Sequence, residues 1–323
     1  MKKTVLSLTL AASVLALGAC SGGDSKAIVT SKVGDISVAD FNEKAKALTG
    51  SYVIQQMLTE KVLADKYEVT DKEVKEAYDT TAAQFGDNFV QALTESGLTE
   101  EGFKDSLRVQ LLQEKAIKDS FDTKKYYEQM KTELKGRHIL VADEATAKEV
   151  IEKIKGGAKF EDVAKEYSID TGSAEKGGEL GWFSVGAMVD EFNDAAYALE
   201  LNTLSEPVKS SFGYHVIEIT EKRNVEGIGS FKEEEAKITE TMFGKLKQTG
   251  TDQIVAKDIV AKLAKDMDIK TSDKDLKESL KFFTTTSEEQ AKAAEEAAKK
   301  AEEQAAKEED SEGKKEDSDK ESK

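Results

Sequence analysis

The chain has 323 residues, carries a formal net charge of −17 at pH 7, and is 38% apolar and 34% charged. That length suits two or three domains, and the modest apolar share leaves part of it outside any core. No segment gathers enough lysine or arginine to form a basic stripe, so nucleic acid is excluded as an expected partner.

The first residues read as an address rather than as part of a fold. Lys2 and Lys3 form a basic start, Thr4 to Ala16 is an apolar run too short to span a bilayer as a mature helix, and small residues follow. The ending Leu17-Gly18-Ala19-Cys20 resembles the lipobox of bacterial lipoproteins. That resemblance implies a signal peptide over 1–19 and a lipid anchor on Cys20, the mature N-terminus. Cys20 is the only cysteine, so packing without internal disulfides must hold the exported protein together. A Gly/Ser linker follows, and Ala27 to Phe41 reads as a short hairpin turning at Gly34 and Asp35.

From Val38 to about Leu134 the pattern is helical. Thr70 to Glu73 fits a capping box, and Phe103, Leu107, Leu111 and Leu112 recur on one helical face. At Gly136 the pattern changes to a mixed α+β unit of about 85 to 90 residues, a workable domain size. Arg137 to Val141 is a strand, and Asp143 caps a helix running to Lys155. A second helix follows from Phe160, and then a glycine-rich loop sets Gly177, Gly178 and Gly181 before Trp182 and Phe183. Met188 to Leu199 reads as a helix with Met188, Phe192, Ala195 and Leu199 on one face, for which plain core packing is the blander account. A turn and a strand close the unit, alternating Tyr214, Val216 and Glu218 against His215, Ile217 and Ile219.

Helical pattern resumes from Phe231 to about Phe283. In the charged tail, 287–323, glutamate pairs recur every seven residues at first, yet the apolar positions hold only alanine. Alanine favours helix but buries too little for a coiled-coil seam. The tail reads as solvated, partly helical or disordered, with a coiled-coil homodimer handle as the sharper alternative.

Signatures of covalent or metal chemistry are missing. There is no P-loop, no G-x-S-x-G elbow and no H-E-x-x-H, and no cysteine beyond Cys20, so neither a metal nor a cofactor is expected. The two histidines, His138 and His215, fall on the first and last strands of the central unit, near the loop carrying Asp170. If those strands are neighbours, the pair would fix each other's tautomers through a mutual hydrogen bond. Two satisfied core histidines are the alternative.

The segments RHILV (137–141), FEDVAKEYS (160–168), GGELGWF (177–183), FNDAAYAL (192–199) and FGYHVIEI (212–219) occur in order over about 136–223. Together they resemble a parvulin-type peptidyl-prolyl isomerase domain. With the leader and the helical flanks, the whole chain resembles the PrsA-type foldase lipoproteins of Gram-positive bacteria. The resemblance implies an α+β architecture: a small parvulin-type α/β domain over 136–223, mainly helical regions over 20–135 and 224–286, and the acidic tail. It implies active-site residues at His138, His215 and Asp170, or Thr171 if a one-residue gap is placed differently. It implies a proline pocket of Met188 and Phe192, with Leu180 and Phe183 beside them. Its partners would be unfolded exported proteins at the outer face of the cell membrane. Acidic residues after His138 stand where phosphate-selecting parvulins carry a basic cluster, so phosphoserine recognition is not expected.

Rotating a prolyl bond crosses about 20 kcal/mol without breaking a covalent bond, so a dry apolar pocket and well-placed polar groups suffice. The competing reading is a holdase whose parvulin unit is a scaffold with little catalysis. A solute-binding lipoprotein would need repeated βα units, and none are read here.

Overall fold

A computed structural model describes residues 26–294, 296–298 and 300. The leader, Cys20 and the tail beyond residue 300 lie outside the described residues. The chain divides into two compact units, one formed by residues up to 112 together with those from 257 onward, the other by 113–256.

In the first unit, β1 (Ala27–Val29) and β2 (Ile36–Ser37) pair antiparallel. Their turn falls at 32–33 rather than at Gly34 and Asp35, because Asp35 accepts the Ser31 N–H and so closes the loop from its far side. The long α1 (Val38–Ala64) starts where Ser37 and Asp40 cap each other's backbone N–H groups. Thr70 and Glu73 do the same for α2 (Asp71–Phe85), which satisfies amides that the first turn leaves free. Then come α3 (Phe89–Glu95) and α4 (Glu100–Asp119). Phe89 meets Tyr78 and Phe103 edge to face, with ring centroids 5.2 and 5.6 Å apart.

The second unit opens with α5 (Thr123–Met130), capped by Asp122. It continues through β3 (Thr132–Val141), α6 (Glu144–Lys155, capped by Asp143), α7 (Phe160–Tyr167), β4 (Glu179–Phe183), α8 (Asp190–Ala198), β5 (Val208–Ser210), β6 (Gly213–Asn224) and α9 (Phe231–Thr249). The four strands form one antiparallel sheet in the order β4-β3-β6-β5. Ile139, Val141 and Val216 pack on α6 and α7, while Leu134, Phe183, Ile217 and Ile219 pack with Phe192 and Ala196 of α8. The centre of the sheet is therefore covered on both faces, as a three-layer domain requires.

Three expectations change here. The strand expected from Arg137 begins at Thr132, because β6 is long enough to pair back to Asn224 and carries Leu134 into the core. The glycine-rich loop is largely strand β4, whose Gly181 pairs with Gly136. Met188 is not helical: Val189 is extended and precedes the first turn of α8, where Asp190 and Glu191 suit the positive helix end. Pro207, the sole proline of the chain, leads into β5, and no described peptide bond is cis.

The expected helix to Phe283 is likewise broken, since left-handed Gly250 ends α9. After α10 (Asp252–Ala264) the chain is irregular until a 3-10 segment at Glu278–Phe283. That segment returns to α1, where Ser279 and Ser51 hydroxyls share a 2.7 Å hydrogen bond and Lys46 reaches Asp273 at 2.9 Å. Residues 287–294 are helical. Among the described residues, no helix is long and apolar enough to cross a membrane.

Candidate active site

Strands β3 and β6 are central neighbours, and their register sets Leu140 opposite His215 and His138 opposite Ile217. The two histidines thus meet diagonally on the face covered by α8. Their Nδ1 atoms lie 3.1 Å apart, and the rings stack at 5.3 Å between centroids. Both are buried. Phe192 of α8 stands edge-on to both rings, at 5.6 and 5.4 Å, and Phe183 stands edge-on to Phe192 at 6.0 Å.

Asp170, on the loop after α7, brings Oδ2 to 2.8 Å from His138 Nε2. This geometry selects Asp170 over Thr171 as the residue beside the histidines. The loop is held by Ile169 N–H donating to Leu140 O and by Gly172 N–H donating to Asp170 Oδ1. Ser173 donates its hydroxyl to Asp170 Oδ2, and Ser210 reaches His215 Nε2 at 2.8 Å. Sequence periodicity does not single out either serine; the signals are that Ser173 lies three residues after Asp170 and Ser210 five before His215.

For two neutral histidines these contacts order the donors and acceptors. The Ser173 hydroxyl first, then the His138 ring and the Gly172 N–H, hold the Asp170 carboxyl below its ordinary range, so it is an ionised acceptor. His138 Nε2 must then carry hydrogen and donate to it. In neutral His138 that leaves Nδ1 bare, so it accepts from His215 Nδ1–H. His215 Nε2 is bare in turn and accepts from the Ser210 hydroxyl. Burial, reinforced by neighbouring His138 and opposed by Asp170, pulls His215 down to about 4, which keeps it neutral near pH 7. The result is one relay, Ser210 to His215 to His138 to Asp170.

The glycines have a definite job here. Gly178 adopts φ +82°, and a Cβ there would lie 2.3 Å from His138 O. Its own carbonyl accepts the His138 N–H at 2.9 Å, so the lead into β4 lies directly on the histidine backbone. Leu180 and Met188 are half-buried against the Phe183 and Phe192 cluster. Phe192 is only 2% exposed, which makes it the floor beneath the histidines, with Leu180, Met188 and the partly exposed Asp170 nearer the surface. Trp182 points to the other face of β4, beneath the Arg223 guanidinium at 4.2 Å. Among the described residues, no group of three His, Cys, Asp or Glu side chains could hold a metal ion.

Residues 122–223 match the family model of the PPIC-type PPIase domain. Foldase protein PrsA 1 of Bacillus cereus is 45% identical over 278 residues, covering 86% of this chain and 95% of that protein. Foldase protein PrsA of Geobacillus sp. is 38% identical, covering 87% of this chain and 100% of its own length. A crystal structure of the peptidylprolyl isomerase PrsA from Bacillus cereus superposes with a TM-score of 0.52 at 43% identity, covering 81% of this chain and all of that one.

Proposed function

The chain belongs to the PrsA family of foldases and is a parvulin-type peptidyl-prolyl isomerase, and from that premise we propose how its residues act and where. The observation that carries the reading is the directed relay from Ser210 to Asp170, resting on Phe192. A substrate prolyl ring seats on Leu180 and Met188, above the Phe183 and Phe192 floor. Gripping the ring there takes it out of water and lets the preceding carbonyl rotate. At the twisted geometry the amide nitrogen has lost its resonance, and fixed dipoles stabilise it without having to reorganise. The histidine pair and Ser173 hold Asp170 in one orientation, so the carboxylate keeps one place beside the rotating bond through the turn. No proton needs to leave the relay.

The clients are exported proteins in unfolded or partly folded form, met at the outer face of the membrane to which Cys20 anchors the chain. Two acyl chains exceed the threshold for stable attachment, at about 0.8 kcal/mol per buried methylene. Cys20→Ala protein should leave the membrane fraction in a high-salt wash; retention would remove the anchor assignment. Holding of unfolded chains accompanies catalysis, and the exposed Phe41, Leu48 and Tyr52 of α1 favour that second activity. The deciding experiment measures the full chain on a short Ala-Ala-Pro-Phe type peptide and in suppressing aggregation of an unfolded protein. Catalysis by the wild type and its loss in Phe192→Ala support the isomerase site. Suppression of aggregation without peptide catalysis would leave only the holdase.

A further inference from the structure

Met188 stands on the loop 184–189 between β4 and α8, not on the helix, so something other than helix geometry must fix it. Three backbone carbonyls of this loop are each taken by a side chain from a helix. Tyr126 of α5 donates its hydroxyl to Val185 O at 3.4 Å, Lys245 of α9 donates its ammonium to Gly186 O, and Asn193 of α8 donates Nδ2 to Met188 O at 3.1 Å. Gly186 adopts φ +80°, and a Cβ there would collide with both Lys245 Nζ and the Tyr126 hydroxyl. The left-handed backbone reserves the position for glycine, and a side chain there would also displace the lysine anchor.

Met188 and Val189 also pack on the Phe183 and Phe192 cluster, and two further observations favour a share for these bonds in holding the loop. A cavity of about 220 Å³ is bordered by Tyr126, Val185, Asn193 and Lys245, so the loop has open space beside it. Asn193 is only 4% exposed and its Oδ1 has no hydrogen-bond partner among the described residues, an unfavourable burial that a purely structural position would relieve with an apolar residue. Lys245 is also desolvated: burial draws its pKa below the ordinary value, opposed by Asp190.

We propose that Lys245, with Tyr126 and Asn193, is a positioning element of the proline pocket: anchoring the 184–189 loop sets where Met188 stands and hence how tightly a prolyl ring is held. The proposal rests on the isomerase reading above. It makes α9, which lies outside the segment that resembles a parvulin domain, a determinant of substrate affinity.

The test uses the full chain with Lys245→Met, which keeps the aliphatic stem and removes the donor, alongside Lys245→Arg, Tyr126→Phe and wild type. Peptide kinetics and the methyl resonance of Met188 are read together. The expected result for Lys245→Met is a rise in KM of about tenfold with kcat nearly unchanged, partial recovery in Lys245→Arg, and a displaced Met188 methyl signal while the histidine ring nitrogens keep theirs. A folded Lys245→Met chain with wild-type KM and an unmoved Met188 signal overturns the proposal. Should Lys245→Met lose its cooperative melting, Tyr126→Phe decides by the same two readouts. A wild type without peptide catalysis would instead sink the isomerase reading, and the Met188 signal would still report whether the anchors set the loop.

Discussion

On the α8 face of the sheet Phe192, backed edge to face by Phe183, is buried and meets both histidine rings edge to face, whereas on α1 Phe41, Leu48 and Tyr52 line one helical face in the open, Leu48 at 71% exposed. The same side-chain chemistry is used for opposite ends. Fixed aromatic contacts give a site one geometry, which a rotation barrier demands; exposed ones on a helix offer an adaptable surface, which unfolded clients of many sequences demand. On the function proposed above, catalysis belongs to the first region and holding to the second.

The largest expected effect comes from opening the floor. Phe192→Ala should cost about 3–5 kcal/mol of stability in the second unit and abolish peptide catalysis, while suppression of aggregation survives at temperatures where the chain stays folded. Equal loss of both activities in folded protein would dissolve the division of labour.

Acid should come next. The folded-state pKa of His215, about 4, lies below its unfolded value near 6.5, so between these values the unfolded chain binds the extra proton. Stability is thus full above pH 6.5 and falls as pH drops toward 4, by on the order of 3 kcal/mol, and Asp170 adds a further loss only as pH falls below the ordinary carboxylate range. Melting curves across that range should show the decline in wild type and a flatter profile in His215→Ala. An unchanged slope in the variant would mean that other groups set the acid limit.

Asp170→Asn keeps shape and removes the charge, and should cost about 1.5 kcal/mol with a measurable drop in kcat/KM. Wild-type kinetics in this variant would show the charge to be irrelevant to the rotating bond. The smallest change in stability, within about 0.5 kcal/mol per site, is expected for Phe41→Ser, Leu48→Ser and Tyr52→Ser combined. That triple variant should keep full peptide catalysis yet lose aggregation suppression, and retention of suppression would move the holding surface elsewhere.

Local signals were legible in the sequence where the chain itself enforces them. The Thr70 and Asp143 caps follow from residues three apart, and the α+β plan follows from the change of period in the central unit. The pairing of His138 with His215 could be anticipated from their places on the first and last strands of that unit. Signals failed where a distant partner decides. Residues 132–134 join β3 because β6 extends to meet them, and Gly177 to Gly181 read as loop although β3 draws most of that segment into the sheet. Ser173 sits in a turn and Ser210 ends the three-residue strand β5, too short for a period to show, and Lys245 lies 59 residues from the carbonyl it holds. The helix expected from Met188 starts two residues later, since the apolar spacing from Met188 to Leu199 runs through Val189, where the backbone is still extended.

The lone Pro207 carries a consequence for how this foldase is made. Its peptide bond is trans, the isomer that most newly made chains already hold, with about 10–30% cis expected in an unfolded peptide. Only that minority must wait the 10–100 s or so of an uncatalysed flip before β5 can join the sheet. The rest need no such flip, so the catalyst is nearly exempt from the delay that it removes for others.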